Sequence, residues 1–416
     1  MRSILFLCHR LPWPPSKGDK IRSYHVLRRL AESYRVYLGT FVDDPADWQY
    51  LAAVEALCAG VCVRPLQSWR SRSRALGALV RGEALTVGMY RDRVMQRWVQ
   101  AVLAEHKPEQ ALCYSSGVAP YVMDYPQLRR VMDFVDVDSD KWRQYAQANS
   151  GLARMIYRRE AHRLGRFERA VATQFDASVL VSESEAGFFR KQVPEAADKI
   201  HGIPNGVDGT YWDPQLEHAN PYQPGERAVV FVGAMDYRAN VHAAQWFARD
   251  VWPQIFARRA DARFYIVGSN PTPAVRALGQ LAGVVVTGRV DDVRPWLAHA
   301  HAVAAPLRIA RGIQNKVLEA LAMAKVLLAT PEAYEGIEDF AGRQGCISAS
   351  PEVMATEALR WLDTAEITRV CAARTKVLAG YDWARNLDKY ESVLACPPRV
   401  ATPAEVRGNA RLDAGS

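Results

Sequence analysis

Short apolar runs rich in β-branched residues alternate along the chain with longer stretches whose apolar positions recur every three or four residues. In the first half, ILFLC (4–8), VYLGTF (36–41), VCVRP (61–65), ALCY (111–114), RVMDFVD (130–136) and ASVLVS (177–182) read as strands. The intervening stretches 20–32, 46–58, 90–106 and 152–173 read as helices. The last is expected to bury Leu152, Met155, Ile156, Leu164, Phe167 and Val171 on one face and to turn its arginines outward.

The second half repeats the scheme. Strands are expected at AVVFVG (228–233), RFYIVG (263–268), VVVTG (284–288), AVAAP (302–306) and VLLAT (326–330), with helices over 241–258, 273–282 and 313–324. Strands alternating with helices imply parallel sheets covered on both faces. GIPNGVDGTYWDP (202–214), dense in Gly, Pro, Asn and Asp, reads as the seam between two such domains. The expected division is 1–205, 206–380, a returning C-terminal helix over 381–396 and a disordered polar tail over 397–416. In doubly wound α/β folds ligands bind at the carboxyl ends of the strands, here in a cleft between the domains.

Composition narrows the partners. The 416 residues carry a net charge of +8, which suits anionic ligands. The seven scattered cysteines contain no CxxC and read as reduced thiols in the cytoplasm. No run of 18 apolar residues occurs, so membrane contact is expected to be peripheral. No zinc, helix-turn-helix or RNA-binding signature accompanies the charge, so nucleic acid is not an expected partner.

The chemistry concentrates in LRIARGIQNKVLEALA (307–322). With a helix starting near Ile313, Asn315, Lys316 and Glu319 share a face, while Arg308, Arg311 and the backbone N–H groups around Gly312 gather at its amino end. That end suits a phosphate. A carboxylate at Glu319, further along the helix, suits ribose hydroxyls.

Together with GIPNGVDGTYWDP and VFVGAMDYRANVHA, this stretch resembles the retaining glycosyltransferases of family 4 and their GT-B fold of two Rossmann-like domains. CHRLPWPPSKGDKIRSYHVLRRLAE and DFVDVDSDKW narrow the likeness to sugar transferases associated with exosortase/PEP-CTERM exopolysaccharide systems. The resemblance implies a nucleotide-sugar donor on the C-terminal domain, with Glu319 on its ribose and Arg308 and Lys316 on its diphosphate. It also implies a glycan or polyprenyl-linked acceptor on the N-terminal domain, on the cytoplasmic face of the inner membrane. The residue eight before Glu319 is Arg311, where many relatives carry a sugar-contacting glutamate. No cofactor or metal is expected if cations carry the leaving-group charge.

Other loops join this expectation. GAMDYRANVHA (233–243) offers Gly233 for close approach and Asn240 as a helix cap or phosphate-loop residue, without the Arg–Lys pair many relatives carry there. PPSKGDKIR (14–22) brings Lys17, Gly18, Asp19 and Arg22 to the cleft, and His9 ends the first strand as a catalytic candidate. In DFVDVDSDK (133–141), strand alternation points Asp136 and Asp138 the same way. Lys141 and Gln147 break a calcium-loop reading, which leaves acceptor binding or helix capping. SWRSRSRALGALVRG (68–82), with Trp69 and four arginines, suits an anionic membrane or a solvated loop. An epimerase on the same fold and a non-catalytic nucleotide-sugar-binding module are the rival readings.

Overall fold

The computed structural model describes residues 1–15, 18–66, 77–79, 81–310, 312–337, 345–364 and 371–395. The chain forms two compact units: Met1–Ile203 with the chain from Leu387 on, and Pro204–Asn386. In the first, seven parallel strands run in the order β3-β2-β1-β4-β5-β6-β7. They are β1 (Arg2–Cys8), β2 (Tyr34–Val42), β3 (Gly60–Pro65), β4 (Gln110–Tyr114), β5 (Arg129–Val135), β6 (Ala177–Leu180) and β7 (Ile200–Gly202). In the second, six parallel strands run β10-β9-β8-β11-β12-β13. These are β8 (Arg227–Val232), β9 (Ala262–Val267), β10 (Val284–Gly288), β11 (Ala302–Ala305), β12 (Leu327–Ala329) and β13 (Gly345–Ile347).

Both orders reverse direction beside the first strand of the sheet, between β1 and β4 and between β8 and β11. This is the doubly wound arrangement, and its reversal point is where the loops part to leave room for a ligand. The central strands are apolar throughout because helices cover both faces: Ile4–Cys8, Ala228–Phe231 and Ala302–Ala305 are buried. Among the described residues, Cys8, Cys58, Cys62, Cys113, Cys346 and Cys371 are joined in no disulfide.

Several expected elements differ in extent. The stretch 46–58 is a 3₁₀ turn, Pro45–Tyr50, followed by the short helix Leu51–Glu55. The helix expected over 241–258 begins at Arg238, widens into a π-turn at Phe247–Val251 and resumes over Trp252–Phe256. The π-turn lets Pro253, which has no N–H to donate, sit in the first turn of the resumed helix. The helix expected over 273–282 splits into Pro273–Arg276 and the 3₁₀ turn Ala277–Gln280.

The seam is packed rather than loose. Val207 bridges Asp382, and its N–H donates to Tyr381 O at 2.7 Å. A Cβ on Gly206 would meet the Trp383 ring at 2.7 Å. The C-terminal helix Trp383–Ala395 passes from the second unit into the first at Leu387. Within the first unit its carbonyls at Leu394 and Val393 accept from Gln110 and Arg129.

Arg22 belongs to that framework, which corrects its expected place in a ligand-facing loop. It is fully buried, donating to Asp133 Oδ2 at 2.8 Å, Ile203 O at 2.9 Å and the Tyr390 hydroxyl at 3.3 Å. A guanidinium with this many fixed acceptors ties β5, the end of β7 and the C-terminal helix together.

The long helix Gly151–Gln174 also departs from expectation. Leu164 and Val171 are buried, but Leu152, Met155 and Ile156 are exposed. At about 100° per residue, Met155 points nearly opposite Leu164, so the apolar positions cannot share one buried face. Glutamates turn inward instead. Glu160, 1% exposed, accepts from the Leu85 and Thr86 N–H groups at 2.7 and 2.8 Å and so caps the helix Leu85–Met89. Glu160→Ala should lower stability by about 1–2 kcal/mol, read from urea denaturation.

Candidate functional site

The reversal point of the second sheet brings together residues far apart in sequence. β8 ends at Val232 and hands the chain to Gly233; β11 ends at Ala305 and leads through Arg308 and Gly312 to the helix Asn315–Ala322. Gly233 sits where a side chain has no room: a Cβ there would lie 2.7 Å from Asn240 Nδ2 and 3.1 Å from Lys316 Nζ. Gly268 keeps this turn tight from the neighbouring strand, with φ of +149° and its own Cβ position 1.8 Å from Gly233 O.

Lys316 Nζ donates to Asn240 Oδ1 at 2.5 Å and lies 4.8 Å from the centre of the Phe231 ring. Asn240 Nδ2 in turn donates to Ala234 O at 2.9 Å. Asn240 is therefore not the cap expected from sequence. Tyr237 holds the N-cap position of Arg238–Trp246, and Asn240, buried in the first turn, orients an ammonium. Lys316 thus brings a cation to the loop after β8, where the sequence lacks the Arg–Lys pair.

This helix starts at Asn315, two residues later than expected, because Gly312 adopts φ of +64° and Gln314 remains extended. Among the described residues no side chain caps this start; Val317 and Leu318 N–H donate to Gln314 O, which leaves the Asn315 and Lys316 N–H groups available to an anion. Asn315 Oδ1 accepts from Asn205 at 3.0 Å, while its Nδ2 is buried without a partner. Ile313 is buried beneath the turn. Glu319 lies one turn beyond Asn315, about 6 Å along the axis. Burial lowers the Lys316 ammonium to about 8, with Glu319 opposing, and raises the Glu319 carboxyl to about 7, with Lys316 opposing.

Such a pair has a narrow working window. Below about 7 Glu319 takes up a proton and loses its full acceptor capacity; above about 8 Lys316 loses its charge. The pH profile of kcat/KM should be a narrow bell with limbs near these values, and Glu319→Gln should remove the acid limb.

Arg308 is exposed and lies over the Trp246 ring at 5.5 Å, at the far end of the helix that carries Asn240. Arg311 lies outside the described residues. Tyr211, which no sequence motif singles out, is an exposed ring with the Arg294 guanidinium 4.0 Å from its centre. Arg294 is held by Asp292 at 2.7 Å. Tyr211 lies in a stretch that read as linker and as part of the family likeness, and its pairing with Arg294 joins residues 83 apart.

The first unit gathers a second set at its own strand ends. His9 follows β1, its ring stacked on Tyr114 and edge-on to Tyr90. β5 stops at Val135, whose φ of +67° is costly for a β-branched residue, and a new helix begins at Asp138. Strand alternation therefore does not orient Asp136 and Asp138; a left-handed turn and a helix start do. Burial, then Asp138, raises the Asp136 carboxyl to about 6, and burial raises Asp138 as well. Glu168, missed because it sits among arginines, is 1% exposed. It accepts from Ser139 N–H at 3.1 Å, and burial raises it to about 8. Gly18 and Asp19 open the helix Gly18–Ser33, while Lys17 lies outside the described residues. Trp69, Arg70, Arg72 and Arg74 also lie outside them, and Arg81 pairs with Glu83 at 3.2 Å. Among the described residues, no three His, Cys, Asp or Glu side chains are arranged to hold a metal ion, and no helix is long and apolar enough to cross a membrane.

Residues 226–364 match the family model described as glycosyl transferases group 1. No curated protein matches the chain in sequence. Among solved structures, WaaG, a glycosyltransferase involved in lipopolysaccharide biosynthesis, is 16% identical over 95% of this chain and 100% of its own, with a TM-score of 0.64. HepE from Anabaena, in complex with UDP and glucose, is 15% identical over 95% and 100%, with a TM-score of 0.64. Sucrose-phosphate synthase from Thermosynechococcus elongatus is 15% identical over the whole of both chains, with a TM-score of 0.65. The chain has the two-domain, Rossmann-like GT-B fold.

Proposed function

We propose that this glycosyltransferase moves a sugar, with retention at the anomeric carbon, from a nucleoside diphosphate sugar to a glycan or polyprenyl-linked acceptor in exopolysaccharide assembly. The observation that carries the reading is the Lys316–Asn240–Gly233 cluster beside an uncapped helix start, with Glu319 one turn further on. A diphosphate fits the ammonium and the N–H groups, and ribose hydroxyls fit the carboxylate. HepE, of the same fold, is solved with UDP and with UDP-glucose. The sequence stretches quoted above support membership of family 4 and an exosortase/PEP-CTERM setting at the cytoplasmic face of the inner membrane.

In this reaction the anomeric C–O bond breaks and the diphosphate leaves with its electron pair. Lys316 and the helix-start N–H groups neutralise the charge that develops there, aided by Arg308. The acceptor oxygen attacks from the face the diphosphate leaves, and its proton passes to a donor phosphate oxygen. Asp136 and Asp138 bind acceptor hydroxyls. Thermal-shift screening of nucleotide-sugars, followed by transfer from the labelled donor that stabilises the protein, tests the reading. If no nucleotide-sugar raises the melting temperature, it fails.

Because side chains and N–H groups carry the leaving-group charge, transfer should persist in EDTA. Loss of activity on chelation, restored by a divalent ion, would return attention to Asp136, Asp138 and Asp140 as ligands. One observation favours a second reading: Asp136, at about 6, suits the acid–base exchange an epimerase needs. Labelled donor without acceptor separates the two, since only an epimerase converts it.

A further inference from the structure

We propose that the exposed face of the helix Gly151–Gln174 docks this protein on an anionic phospholipid surface. Leu152 is 71% exposed, Met155 68% and Ile156 43%, within little more than one helical turn. Leu79, also exposed, lies alongside, since Arg159 reaches from this helix to the Leu79 and Glu83 carbonyls. Large apolar side chains so clustered lose their contact with water only against another apolar phase.

Charge says which phase. On the wheel of this helix, Arg159, Arg163 and Arg166 continue the line of Leu152 and Met155 along the outward side, about 21 Å from Leu152 to Arg166. The helix's two glutamates, Glu160 and Glu168, are each 1% exposed and turned into the fold; Arg159 stands 4.0 Å from Glu160, and the outward face is predominantly cationic. An apolar end followed by a row of arginines fits lipid phosphates. The apolar groups enter the acyl boundary, and the guanidinium groups stay at headgroup level on their aliphatic stems. Beside the same helix an open concavity of about 350 Å³ sets Val87, Met123 and Phe167 beside Arg163 and Arg166, with Arg91 paired to Glu83 at 2.7 Å on its rim. The surface belongs wholly to the first unit and is independent of the Lys316 and Glu319 site. A polyprenyl-linked acceptor would lie in the same membrane.

The test is flotation of the full chain with phosphatidylcholine vesicles, with and without phosphatidylglycerol. The parent should float only with phosphatidylglycerol present and detach as salt rises. Leu152→Ser, Met155→Ser and Ile156→Ser combined should weaken partitioning on the order of tenfold or more, with an unchanged thermal melt. Met155→Glu alone, at a largely exposed position, should weaken it in the same direction and guards against misfolding of the triple variant. Arg163→Glu with Arg166→Glu should abolish the preference for anionic lipid. A parent that does not float, or apolar variants that float as well as the parent, overturns the proposal. So does a parent that self-associates through this face without binding vesicles, seen by sedimentation.

Discussion

Lys316→Ala should lower kcat by about 10²–10³-fold, the cost of removing one preorganised donor to developing charge. The ammonium is fixed by Asn240 and by the Phe231 ring, in a partly buried site where a charge interaction is weakened less than in water. Its interaction strengthens as the diphosphate gains negative charge, so loss should appear in kcat more than in donor affinity. Lys316→Arg should recover little, because a planar guanidinium does not fit between Asn240 and the space Gly233 leaves. Asn240→Ala should show the same pattern more weakly, since it leaves the charge and removes only its aim. Steady-state kinetics with isothermal titration of the donor decides the matter. Equal losses in affinity and kcat/KM at an unchanged kcat would mean that Lys316 only binds.

Glu319→Ala should weaken nucleotide-sugar affinity by about 10- to 150-fold, the equivalent of about 1.5–3 kcal/mol for hydrogen bonds to a charged acceptor. The helix holds the carboxylate one turn beyond the uncapped start, so it should act on the ribose rather than at the reacting carbon. kcat should therefore change less than affinity. The same substitution bears on stability through linkage. The folded-state pKa is raised to about 7, above the ordinary carboxyl value, so the folded protein loses stability as pH climbs from the unfolded value through 7. Removing that ionisation should leave the unliganded protein no less stable above pH 7, even as it loses its donor. Calorimetry on Glu319→Ala and Glu319→Gln, beside thermal melts above pH 7, measures both effects. Unchanged donor affinity in a folded variant would take Glu319 out of the site.

The alternation of apolar runs was enough to find eleven of the thirteen strands among the described residues and the two-domain α/β class. A parallel strand buried on both faces must be apolar along its length, and that signature is local. The short strands β7 and β13, three residues each, carry too few positions to show it. The expectation of a phosphate-and-ribose site at 307–322 rests on a signal that is local too: a glycine-broken turn, a lysine and a glutamate three residues apart lie on one stretch of chain. What the sequence could not supply was the partner of each group. Asn240 looked like a cap until the fold set it against Lys316, 76 residues away. Arg22 looked like a loop cation until the fold closed Asp133, Ile203 and Tyr390 around it. Helical periodicity grouped Leu152 and Met155 with the core, because a repeat reports apolar spacing and not what stands opposite. Only the packing of neighbouring elements decides which side of a helix meets protein, and here it left those residues outside. Local composition determines which elements form and which groups can bind. The long-range strand order determines which of those groups meet, because a contact between distant residues leaves no mark on either one's neighbours in the chain.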